Sequence, residues 1–100
     1  MNYRFLGAAR AEHLEEVAFY ESRSPGLGAA YLAEFEAVMA RICANPALYP
    51  RIGDVDIRKA TLIMRFPFHV ICRAEPTHIV VLAIAHHRRR PAYWVERAGQ

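Results

Sequence analysis

The chain is poor in the residue types that most often carry chemistry. It has two cysteines, Cys43 and Cys72, far apart in sequence and without C-x-x-C spacing. They read most simply as reduced packing thiols, with a disulfide or a metal site as the alternative. Lysine occurs once, at Lys59, and the other twelve cations are arginine. There is no G-x-S-x-G, no phosphate-cradling glycine loop and no paired carboxylate, so the sequence offers no signature of a serine hydrolase or a P-loop enzyme. Nothing in it calls for a cofactor or a metal ion. No apolar run approaches the roughly 20 residues needed to span a bilayer, and the N-terminus has no signal-peptide pattern. A cytoplasmic location without a membrane partner is the default expectation.

What is present is a globular composition. The 100 residues are 54% hydrophobic and 23% charged, which suits one small domain over 1–100 and excludes a disordered chain. The net charge of +3 is unevenly spread. Residues 1–50 carry four arginines against six glutamates, and residues 51–100 carry nine cations against Asp54, Asp56, Glu75 and Glu96. The densest cationic stretch follows the most apolar one: Ile79 begins a run that ends in His86, His87, Arg88, Arg89 and Arg90, then Pro91, Tyr93 and Trp94. Neighbouring cations repel, so an anionic partner such as a nucleic acid or an acidic protein surface would offset the cost of that cluster. Arginine's planar fork suits phosphate or carboxylate.

Periodicity divides the chain. Residues 2–6 alternate Tyr3 and Phe5 against Arg4, as a short strand does. Over residues 8–23, Ala11, Leu14, Val17, Ala18 and Glu21 keep helical spacing, with Glu12, Glu15 and Glu16 off that face. Ser24-Pro25-Gly26 breaks this helix and predicts a second one, capped by Ser24 with Pro25 in its first turn. Leu27, Tyr31, Phe35, Val38 and Ile42 then form one stripe that ends at Asn45-Pro46. Three strands are expected over 55–63, 66–73 and 78–85, the last apolar on both faces and therefore central. Pro67 places the middle one at a sheet edge or just after a turn. The expected fold is α+β, βααβββ, with a helical hairpin on one face of a small, mostly antiparallel sheet. One hairpin covers one face, so the other is covered by the C-terminal segment or by another chain. His86 and His87, being adjacent on a strand, point to opposite faces and do not share a metal. Trp94 reads best as the plug closing the core, and Tyr93 as the better functional candidate.

The βααβββ order, the Phe66-Pro67-Phe68 turn into a strand and the ending AHHRRRPAYWVER resemble the RelE/ParE superfamily, small toxins of bacterial type II toxin–antitoxin modules. The segments AEHLEEVAFYESRSPGLG and ICANPALYPRI extend the resemblance over nearly the whole chain. It implies a growth inhibitor, associated with plasmid stabilisation and held inactive in a hetero-oligomer by a cognate antitoxin whose C-terminal segment wraps the toxin. RelE-like members cleave mRNA in the ribosome without a metal. On that reading His87, Arg88 and Tyr93 are catalytic, and the target-binding cations are Arg58, Lys59, Arg65, Arg73, Arg88, Arg89 and Arg90. The lysine-rich pattern of those enzymes is absent here, and the hairpin followed by the FPF turn looks more like the ParE branch, whose members poison DNA gyrase by binding it. The expectation is a ParE-like toxin that acts by binding, with gyrase as leading target; ribosome-dependent mRNA cleavage or a non-toxic antitoxin-binding module are the alternatives. The expected antitoxin surface is Leu14, Val17, Tyr31, Phe35 and Val38.

Overall fold

The computed structural model describes residues 1–52, 57–61 and 66–100. Its elements are β1 (Asn2–Phe5), α1 (Gly7–Arg23), α2 (Leu27–Ala44), β2 (Ile57–Thr61), β3 (Phe68–Ala74) and β4 (His78–His86), with short 3-10 turns at Pro46–Leu48 and Val95–Gly99. The four strands lie in the order β1-β4-β3-β2. β1 runs parallel to β4, and the other neighbours are antiparallel. β4 is central and wholly buried between its ends, as its unbroken apolar run requires. β3 is also internal. Pro67 stands one residue before it, where a missing N–H removes no ladder bond, so the turn reading holds and the edge reading does not.

The helical hairpin covers one sheet face. Phe35 packs against Tyr3 and Phe5, Tyr31 against Phe66 and Phe68, and both are fully buried with Val38, Met39 and Ile42. Tyr31, Phe35 and Val38 are therefore core, and this corrects their expected place on an antitoxin surface. The expected apolar face of α1 is also corrected. Ala11, Leu14 and Ala18 are exposed, whereas Ala9 and His13 are buried and Val17 and Tyr20 half-buried. His13 takes the inward position because Phe5, Phe35 and Tyr31 surround its ring, and Tyr31 Oη lies 3.4 Å from Nδ1.

The helix junction differs from its expected cap. α2 begins at Leu27 after Gly26, whose φ of 86° is the left-handed conformation that glycine tolerates. Ser24 ends α1 instead, and the Glu21 carboxylate accepts the N–H groups of Gly26 and Gly28. The helices touch at Gly28, where an added Cβ would stand 2.7 Å from the Val17 carbonyl oxygen. Cys43 and Cys72 are both free, and burial pushes the Cys72 thiol up to about 12, leaving it protonated and unreactive.

The second sheet face is covered by the chain's own tail. Trp94 is buried, and with Val95 and Ala98 it lies beside Ile57 and Arg73, on the side away from the helices. Arg73 clamps this tail by donating to the carbonyls of Ala98 at 2.7 Å and Gln100 at 2.9 Å. No helix among the described residues is long and apolar enough to cross a membrane.

Candidate functional site

The site begins where β4 ends. His87 N–H donates to the Pro67 carbonyl at 2.8 Å, extending the ladder by one bond. The chain then turns: Arg88 N–H donates to His86 Nδ1 at 2.9 Å, and Arg89 N–H to the His86 carbonyl at 3.0 Å. Accepting at Nδ1 places any single imidazole proton of His86 on Nε2. Burial, Arg88 and His87 all lower its pKa. Ala92 adopts a φ of 60°, a conformation uncommon outside glycine, and so redirects the chain after Pro91.

A register shift decides which side chains meet here. Up to Ile71↔Ala83 the β3–β4 partners follow one register, and from Cys72↔Val81 they follow another, leaving Leu82 as the extra residue of a bulge. With this shift His69 pairs with Ala85, and His87 falls on the same face. The two imidazoles stack with centroids 4.3 Å apart and planes 35° from parallel. An unbroken register would have sent them to opposite faces. Lys59, from β2, lies on the same face. Burial first, then Lys59 and His87, lower the pKa of His69.

These groups open onto a cleft of about 380 Å³ between the sheet and the 87–94 segment. Lys59, His69, His87, Arg89 and Arg90 line its charged side. No carboxylate lines it among the described residues. The Arg89 guanidinium sits 4.0 Å above the centre of the Tyr93 ring, which holds it at the rim.

A second cluster locks the tail to the sheet edge. β1 stops at Phe5, so on that side the edge of β4 beyond Val81 has no neighbouring strand among the described residues. Glu12 accepts the Ile84 N–H at 3.1 Å, Arg97 donates to the Leu82 carbonyl at 3.1 Å, and the Tyr93 hydroxyl is 3.3 Å from the Ile84 carbonyl. The three side chains also join one another. Tyr93 Oη donates to Glu12 at 2.7 Å, and Arg97 Nη1 pairs with Glu12 at 2.8 Å. Burial and the bond to Glu12 raise the Tyr93 pKa well above its ordinary value.

The expected site residues accordingly separate. His87 and Lys59 meet at the cleft with Arg89 and Arg90, whereas Arg88 is exposed in the turn and is not among the cleft's lining residues. Tyr93 borders the cleft, but its hydroxyl is committed to Glu12. Arg58 donates to the Tyr49 carbonyl at 2.9 Å, and Arg73 is held by Glu75 and the chain terminus. Neither lines the cleft, so the expected target-binding cations do not all meet there. Arg65 lies outside the described residues. His69, Glu12 and Arg97 are the residues that sequence reasoning missed. His69 alternates with Phe68 along β3, and the register beyond the bulge sets it against Ala85 and beside the His87 ring. No group of three His, Cys, Asp or Glu able to hold a metal occurs among the described residues.

Comparison with known proteins agrees with this architecture. The family model described as the ParE toxin of the type II toxin–antitoxin system parDE matches residues 3–91, leaving the Tyr93–Trp94–Arg97 tail beyond the matched range. No curated protein matches. Among solved structures, a chain of the chromosomal ParDE TA system from P. aeruginosa shares the fold with a TM-score of 0.67, at 21% identity, over 86% of this chain and 95% of that one. The match over residues 3–91 covers β1 through β4 and the arginine turn, and the chain belongs to the ParE toxin family of type II toxin–antitoxin systems.

Proposed function

We propose that this toxin arrests growth by binding its target, with DNA gyrase the leading candidate, and that a cognate antitoxin neutralises it in a hetero-oligomer. The observation that carries the binding reading is the Tyr93 hydroxyl, held at 2.7 Å by Glu12 with its pKa raised. Of the three residues an RNA-cleaving centre would use, it is not free to exchange a proton with substrate. Arg88, Arg89 and Arg90 remain exposed on the turn, where they suit docking to an anionic surface. On the antitoxin side, Leu14 is 54% exposed and Val17 is half-buried, so the outer part of α1 is the portion of the expected stripe still accessible to a partner.

Inducing the chain without an antitoxin, then mapping mRNA 5′ ends and plasmid supercoiling together, tests this. Intact mRNA with relaxed or cleaved DNA is expected. New 5′ ends inside translated codons would replace the proposal with ribosome-dependent cleavage. Undisturbed growth would leave only an antitoxin-binding module.

A further inference from the structure

The cleft between the sheet and the 87–94 segment has a composition that target docking by the exposed turn does not require. Three separate elements aim groups of one sign into it: Lys59 from β2, His69 from β3, and His87 with Arg89 and Arg90 from the segment after β4. The two imidazoles stack at 4.3 Å, and burial first, then Lys59 and His87, disfavour the protonated form of His69. A bound anion reverses that balance. The floor is different in character, formed by Ile71 and Ala85 with the indole of Trp94 at one side. A volume of about 380 Å³ far exceeds a lone phosphate and falls at the lower end of the range, about 300–1,000 Å³, typical of small-molecule sites. A cationic rim over an apolar floor matches a group that is anionic at one end and flat and apolar at the other.

We propose that this cleft binds a nucleotide unit, its phosphate held by Lys59, Arg89 and Arg90 beside the His69–His87 pair and its base laid on the apolar floor. The site holds for whichever target the toxin arrests, since it is defined by ligand chemistry and read without a growth assay. Arg89 is the positioning cation, fixed by the Tyr93 ring at 4.0 Å. A phosphate there would lie against positive groups from every neighbouring element, and its charge offsets the burial and the cations that hold the His69 pKa down.

The test follows the histidine ring resonances of the full chain by NMR while uridine monophosphate, inorganic phosphate or a short single-stranded oligonucleotide is added. The nucleotide is expected to shift the resonances of the cleft-lining His69, His86 and His87 saturably and to raise the apparent pKa of His69, leaving the buried His13 and the distant His78 in place. Lys59→Gln and Arg89→Gln should each weaken binding about tenfold with unchanged melting temperature. Tighter binding of the oligonucleotide than of the mononucleotide identifies nucleic acid as the source of the unit, and the reverse identifies a free nucleotide. Inorganic phosphate binding as tightly as the nucleotide overturns the proposal, as do equal shifts at His78 or binding indifferent to both substitutions.

Discussion

Replacing Glu12 by alanine removes the carboxylate that holds Tyr93, Arg97 and the backbone of β4 together. The deletion strands three donors at once: the Tyr93 hydroxyl, the Arg97 guanidinium and the Ile84 N–H. Glu12 and Arg97 side chains are only 15% and 18% exposed, so water compensates poorly. Hydrogen bonds to charged groups contribute about 1.5–3 kcal/mol each, and breaking a buried pair costs about 3–5 kcal/mol. Partial exposure moves the expectation to roughly 2–4 kcal/mol, a large share of a stability of about 5–15 kcal/mol. At about 4–8 °C per kcal/mol for a domain of this size, the melting temperature should fall by roughly 8–32 °C. Urea unfolding followed by far-UV circular dichroism measures the loss. The fluorescence of Trp94, the chain's single tryptophan, reports whether the tail leaves the sheet. A cycle with Arg97→Ala should give a coupling of about 1.5–3 kcal/mol, well above the roughly 0.3–0.5 kcal/mol within which independent sites add. Additive single changes, or a Trp94 emission unmoved in Glu12→Ala, would refute the view that this cluster holds the tail in place.

Gly28→Ala should destabilise the chain despite alanine's better helix propensity, because the new Cβ meets the Val17 backbone oxygen at 2.7 Å; a rise in melting temperature would count against this close helix contact. Tyr93→Phe should lower stability by about 1–2 kcal/mol through the lost bond to Glu12 while leaving growth arrest intact, measured by urea unfolding and by viability after induction. Burial lowers the His13 pKa in the folded chain, with Glu36 opposing it, so the unfolded chain binds that proton more readily. Stability should hold above about pH 6.5 and decline as pH falls below it toward the folded-state pKa, with a shallower slope in His13→Gln by urea titration at each pH. His69 and His86 are lowered as well and act in the same direction, so the variant should keep part of the slope.

Much of the fold was legible because periodicity reports burial. The stripe Leu27, Tyr31, Phe35, Val38 and Ile42 predicted α2, and four of those five residues are fully buried while Leu27 is half-buried. The two-faced apolar run predicted a central β4, and Pro91 with Trp94 pointed to a tail returning to the core. The inward face of α1 was not legible, since its core side carries His13 and its more hydrophobic Leu14 faces outward. Hydropathy cannot see that three aromatic rings wait for that imidazole.

The site divides along the same line. The local order of residues determined that cations would gather after β4, because a strand that long can only deliver its next residues to one end of the sheet. Whether His87 meets His69 depended on a single extra residue, Leu82, in a pairing between distant strands. Whether Arg73, Arg97 and Tyr93 were available to a target depended on partners as remote as Ala98 and Glu12. Side-chain spacing along one segment is written in the sequence. Register across strands and the capture of a charge by a remote carboxylate arise from closing the whole chain on itself, and only the tertiary structure decided them.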